Sequence, residues 1–127
     1  MCRGRILIVE DDFLIAERIR QILVQRGYDV VGMAGRTQRA EELAGEHGAD
    51  LAIINLKLEA DVDGVRTATY LQRKHGLKIL ITTGFSDSSV LNWLGNPMTW
   101  PYLRKPFSEG ELLTAVSACL AGAELSP

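Results

Sequence analysis

Short apolar runs alternate with longer amphipathic stretches along the whole 127-residue chain. Ile6, Leu7, Ile8 and Val9 are apolar without a break, as in a strand buried on both faces, so residues 6–9 are predicted to form the first strand. Asp12 stands where it can cap the next helix; Ile15, Ile19, Ile22 and Leu23 fall on one face of it, and Gly27 supplies the stop. Residues 30–34 form a weaker second strand. Thr37–His47 reads as a helix with Ala40, Leu43 and Ala44 inward and Gly48 at its end. Leu51–Asn55 is the third strand, and a loop over 57–64 leads into a helix over 65–75. The fourth strand is predicted at 77–82, followed by Gly84 and a helix over 86–94. A turn at Gly95, Asn96 and Pro97 precedes a short fifth strand, Tyr102–Arg104. Ser108 caps a last helix that runs to about residue 121, and residues 122–127 read as a frayed tail.

Five strands alternating with five helices imply βαβ units, and so an α/β fold whose parallel sheet is covered on both sides. Right-handed crossovers leave few topologies. The expected one is the doubly wound, flavodoxin-like (βα)5 arrangement with strand order 2-1-3-4-5. No linker, repeat or low-complexity segment interrupts the pattern. One domain over residues 1–127 is expected, with its core at 5–121 and no output domain.

Composition narrows the function classes. Hydrophobic residues make up 46% of the chain and charged ones 24%, which is ordinary for a globular domain. The net charge of −2 gives no basis for nucleic-acid binding, and Arg18, Arg20, Arg26, Arg36 and Arg39 are interleaved with acids and apolar residues. Cys2 and Cys119 have neither CxxC spacing nor histidine partners, so neither a metal site nor a disulfide framework is expected; Cys119 falls in an apolar helical stretch and reads as a small core residue. No run is long enough to cross a bilayer and no signal peptide is apparent, so the default expectation is a cytoplasmic setting without membrane contact.

In a sheet of this kind the ligand site lies beyond the carboxyl ends of the strands, where strand order reverses. Those ends deliver Glu10 and Asp11, Asn55, the pair Thr82 and Thr83, and Lys105 of the run Lys105, Pro106, Phe107. Each has a plain structural explanation. Asp12 reads best as a helix cap. Glu10 and Asp11 differ, because adjacent carboxylates repel unless a cation offsets them, and hard oxygen ligands in a small cluster suit Mg²⁺. Lys105 at a strand end ahead of a proline suits contact with a phosphoryl oxygen or with the acids. The bond before Pro106 is a candidate for the cis form. Four such groups at one sheet edge point to a single site.

Taken together, the acid pair, the strand-three position, the hydroxyl and the Lys-Pro-Phe run resemble the receiver domain of two-component response regulators, and the resemblance extends from Ile6 to about Leu120. It implies a role for each residue. Asp11 would bind Mg²⁺ directly, Glu10 would hold it through water, and the backbone carbonyl of Lys57 would complete the protein ligands. Thr83 and Lys105 would contact the phosphoryl group, and Tyr102 would be an aromatic switch that moves with Thr83. The segment from Ile81 to Ser86 is similar to the Phe-Ala-Thr-Gly-Tyr motif of a subgroup of single-domain regulators, with Ile81 and Thr82 in place of Phe-Ala and Phe85 in place of the tyrosine. The resemblance also implies a sensor histidine kinase or phosphotransfer protein as partner. A downstream protein would meet the face built from the fourth helix, fifth strand and fifth helix, where Trp93 and Trp100 are candidate anchors. Homodimer formation is compatible with it.

Asn55 departs from the family pattern, since it stands where the phosphoacceptor aspartate belongs. A carboxylate oxygen can attack phosphorus, whereas a carboxamide is a poor nucleophile. Its neutral amide also weakens Mg²⁺ binding by Glu10 and Asp11, though the amide oxygen remains a candidate ligand. A natural receiver that works without phosphorylation and an engineered aspartate-to-asparagine variant both account for it. Among other classes, a Mg²⁺-dependent phosphatase or phosphotransferase on a similar sheet is the alternative. It would use Asp11 or Asp12 as nucleophile, but the run Glu10, Asp11, Asp12 lacks the alternating acid pair such chemistry needs. A nucleotide or flavin binder is rejected, because acids after the first strand repel phosphate.

Overall fold

The computed structural model describes residues 3–56, 64–84 and 100–122. The expected loop over 57–63, the helix over 86–94, the turn at Gly95 to Pro97 and the tail from 123 onward lie outside the described residues.

Strands β1 (Arg5–Val9), β2 (Asp29–Ala34), β3 (Leu51–Asn55), β4 (Lys78–Thr83) and β5 (Tyr102–Arg104) form one parallel sheet in the order β2-β1-β3-β4-β5. Helices α1 (Phe13–Gln25), α2 (Thr37–His47), α3 (Gly64–His75) and α4 (Glu109–Leu120) connect and cover it. The predicted flavodoxin-like order is the observed one.

Side-chain alternation along each strand explains why the inner strands read as unbroken apolar runs. Ile6, Ile8, Leu51, Ile53 and Leu80 point to one face, where they pack with Ile19 and Leu23 of α1 and with Leu112, Val116 and Cys119 of α4. Leu7, Val9, Ala52, Ile54, Ile79 and Ile81 point to the other, against Leu43 of α2 and Ala68 and Leu71 of α3. The edge strand β2 is only half-buried over most of its length, in keeping with its weaker pattern.

The helix ends follow the predicted chemistry. The Asp12 carboxylate accepts from the Leu14 and Ile15 amides and so caps α1. Gly27, one residue beyond the helix C-cap, adopts φ +90°, where a side chain would be strained. Ser108 accepts from the Glu111 amide while the Glu111 carboxylate accepts from the Ser108 amide, a reciprocal capping box.

Several predicted boundaries shift by one residue. β1 and β2 begin at Arg5 and Asp29, which pair with each other although both side chains are exposed. β4 runs Lys78–Thr83 and not 77–82: Leu77 is buried, but its amide donates to the Leu71 carbonyl, and the first amide on the β3 side is that of Lys78, which donates to the Asp50 carbonyl. α3 begins at Gly64, one residue before the predicted start. Cys119 is buried and free, as expected of a core residue, and burial pushes its thiol above its ordinary pKa, slightly offset by the Lys78 charge.

Candidate functional site

β1, β3 and β5 end side by side or one strand apart, and each brings its last or next residue to the same edge of the sheet. Alternation continues past the last apolar residues. Glu10 follows Val9, Asn55 follows Ile54 and Lys105 follows Arg104, and all three turn to the face that carries α1 and α4. There the Lys105 ammonium donates to Glu10 Oε1 at 2.7 Å and to Asn55 Oδ1 at 2.9 Å. The Asn55 amide nitrogen faces the Asp11 carboxylate, with Nδ2 to Oδ1 at 3.4 Å. The Glu10 side chain is 2% exposed and that of Lys105 21%, so the ion pair is largely desolvated.

Lys105 is held at both ends. Its backbone amide donates to the Thr83 carbonyl at 2.7 Å, and the residue two further on, Phe107, is buried in the core beside α1. The Lys105–Pro106 peptide bond is cis, as the sequence suggested. Glu10 is fixed by its second oxygen, which accepts from the Asp12 amide at 3.1 Å. Burial pushes the Glu10 carboxyl above the ordinary carboxylate range. The hydrogen bond from Lys105, the Asp12 amide and the lysine charge pull the other way without cancelling it.

Thr82 pairs in register with Asn55, and its carbonyl accepts from the Leu56 amide at 2.7 Å. Thr83 is fully buried and alternates onto the side of Ile81, where Tyr102 is half-buried against the same core cluster. The two residues expected to move together therefore belong to one face of the sheet. Trp100 is half-buried on that side, and its indole nitrogen donates to Gln72 of α3 at 3.2 Å. Lys57, Phe85 and Trp93 lie outside the described residues.

The family implies Mg²⁺, and the donor set can be tested against it. A divalent cation takes hard oxygens. Glu10 Oε1 and Asn55 Oδ1 both accept from Lys105, and the amide presents its nitrogen to Asp11. In this arrangement the residues do not fit the ion; a metal must displace Lys105 and turn the amide. Among the described residues no group of three or more His, Cys, Asp or Glu side chains could hold one.

Sequence reasoning missed one feature. Phe13 and Leu14 are 66% and 78% exposed beside the site. Leu14, with Ile15, Arg18, Lys105, Pro106 and Phe107, lines an open groove of about 530 Å³. The signal was present, since these apolar residues follow the cap but fall outside the inward-facing set.

The family model for the response regulator receiver domain matches residues 6–117. The chain belongs to that family. It is 34% identical over 117 residues to the transcriptional regulatory protein PdtaR of Mycobacterium tuberculosis, covering 92% of this chain and 57% of that protein. It is 32% identical over 118 residues to the uncharacterized transcriptional regulatory protein YrkP of Bacillus subtilis, covering 91% of this chain and 49% of that one. The receiver domain described here thus spans about half the length of these curated relatives. Among solved structures, a CheY-like receiver domain protein from Methanospirillum hungatei superposes with a TM-score of 0.77 at 27% identity, covering 93% of this chain and 94% of that one. The receiver domain of PhyR from Erythrobacter litoralis, at 20% identity, shares the fold with a TM-score of 0.83, covering 100% of this chain and 96% of that one. Receiver domains are signalling modules of two-component systems that interact with histidine kinases or downstream effectors. Among the described residues no helix is long and apolar enough to cross a membrane.

Proposed function

We propose that this receiver domain signals through protein contacts and accepts no phosphoryl group at the end of β3. One observation carries the reading: the residue at the acceptor position is Asn55, and its amide is engaged on both sides by Lys105 and Asp11. Phosphoryl transfer to a receiver forms a bond between a carboxylate oxygen and phosphorus as the donor's bond to phosphorus breaks, phosphorus–nitrogen in a phosphohistidine and phosphorus–oxygen in acetyl phosphate. The Asn55 amide is neutral, its nitrogen lone pair is drawn into resonance with the carbonyl, and its oxygen is already accepting from an ammonium group. The transfer therefore stops for want of a nucleophile, although Glu10, Asp11, Thr83 and Lys105 remain in place.

On this reading Asp11, Glu10, Asn55 and Lys57 keep the sequence positions of the family's Mg²⁺ ligands, while Lys105 and the orientation of the Asn55 amide oppose the ion. Thr83 and Lys105 occupy phosphoryl-contact positions that stay unused, and Thr83 with Tyr102 keeps the place of the switch pair. The upstream partner is a histidine kinase or phosphotransfer protein. The downstream partner is a protein that meets the face built from the segment between β4 and β5, β5 itself and α4, with Trp93 and Trp100 as candidate anchors. The alternative phosphatase is disfavoured for Asp12, whose carboxylate is committed to capping α1.

The test is to incubate the protein and its Asn55→Asp variant with Mg²⁺ and acetyl phosphate and to read intact masses. A phosphoryl adduct on the variant alone is the expected result. An adduct on the unsubstituted chain, at any residue of this site, contradicts the reading; the absence of an adduct on both contradicts a receiver site disabled only at Asn55.

A further inference from the structure

We propose that Lys105 is the resident cation of this site, holding Glu10 and Asn55 in the place a divalent metal would take, so that the site stays in one metal-independent state. The inference deepens the function proposed above and rests on it for the identity of the site.

Glu10 is a desolvated carboxylate beside the exposed Asp11, and a buried negative charge with a second acid next to it needs a positive partner. Lys105 supplies it at 2.7 Å from Glu10, and a side chain only 21% exposed cannot exchange that partner for water at little cost. The count of charges then decides how much more is wanted. With Asn55 the three ionised groups Glu10, Asp11 and Lys105 sum to −1; an aspartate would make the sum −2 and restore the demand for a divalent ion.

The amide does something a carboxylate cannot. An ionised aspartate only accepts hydrogen bonds, so it would be drawn to Lys105 and repelled by Asp11. Asn55 accepts from Lys105 through Oδ1 and presents its Nδ2 hydrogens to Asp11. One neutral side chain thereby joins the lysine to the second acid. Turning it to offer oxygen to a metal would set its nitrogen against the ammonium, and so opposes metal entry. The lysine backbone, bonded to Thr83 and anchored by buried Phe107, has little room to follow.

Thermal unfolding with about 10 mM MgCl2, against NaCl of matched ionic strength, tests the proposal on the intact chain. The unsubstituted protein is expected to show no Mg²⁺-dependent shift in Tm, whereas Asn55→Asp rises by about 5 °C. Lys105→Met, which strands Glu10, is expected to lose roughly 10 °C and to recover part of it with Mg²⁺. Should Lys105→Met fail to fold, the double variant Glu10→Gln/Lys105→Met removes both charges and is expected to regain most of the loss with no Mg²⁺ response. Equal Mg²⁺ shifts in the unsubstituted chain and Asn55→Asp overturn the proposal, as does a Lys105→Met variant as stable as the parent and deaf to Mg²⁺. In either case a phosphoryl adduct on Asn55→Asp still upholds the receiver reading, so the two ideas fail separately.

Discussion

Asn55 is buried between an ammonium group and a carboxylate, and the physics of the site turns on its being neutral and able both to donate and to accept. That Glu10, Asp11, Asn55 and Lys105 would meet was legible in the sequence, because each ends or follows a predicted strand and all the strands run the same way. Which oxygen Lys105 chooses, and which way the amide faces, was not. Those depend on distances of a few tenths of an ångström that no one-dimensional pattern encodes. Glu10 gives a prediction at this scale. Its proton is held more tightly in the folded chain than in the unfolded one, so its contribution to stability is present at low pH. That contribution is lost as pH rises from the ordinary carboxylate range through the raised value. Glu10→Gln cannot ionise. Its stability relative to the parent, from urea unfolding at roughly pH 4 to 7, is expected to climb with pH. A relative stability that falls over that window contradicts the desolvation argument.

The elements place the site by close backbone approach as much as by side-chain packing. A Cβ built on Gly64 would lie 2.7 Å from the Asn55 carbonyl oxygen and 3.0 Å from the Leu56 Cα, so α3 starts directly against the end of β3. Gly64→Ala must push these backbones apart, and a loss of about 1–3 kcal/mol is expected from urea unfolding. Gly110→Ala is the control. Its Cβ would meet only the Ser108 hydroxyl oxygen at 3.9 Å, and alanine favours the helix, so a neutral effect or a gain of about 0.5–1 kcal/mol is expected. Losses of equal size at both positions would refute the close-approach argument. Gly64 read as the end of a loop in sequence, since nothing local records a contact with a strand nine residues earlier. The caps at Asp12 and Ser108 were legible because their partners lie two or three residues away. Strand ends drifted by one residue where pairing continued past the apolar run, as at Arg5 and Thr83.

At the scale of the molecule, the sheet separates two cores and brings the carboxyl ends of β1, β3 and β5 to one edge. The topology was legible from the strand–helix alternation and the handedness of crossovers. The exposed Phe13 and Leu14 beside the site went unread, although both fall outside the inward-facing set of α1. On the function proposed above, a single atom type in a receiver frame, the amide nitrogen in place of a carboxylate oxygen, separates a phosphoryl acceptor from a fixed binding module. Beryllofluoride tests that claim most directly. Its beryllium takes three fluorides and needs a carboxylate oxygen as the fourth ligand, so it mimics a phosphoryl group only where an acceptor acid exists. Amide spectra of the isotope-labelled protein should be recorded with and without beryllofluoride and Mg²⁺, beside those of Asn55→Asp. The account predicts unchanged resonances for Thr83, Tyr102 and Lys105 in the parent and shifted ones in the variant. Shifts at those residues in the parent would contradict it.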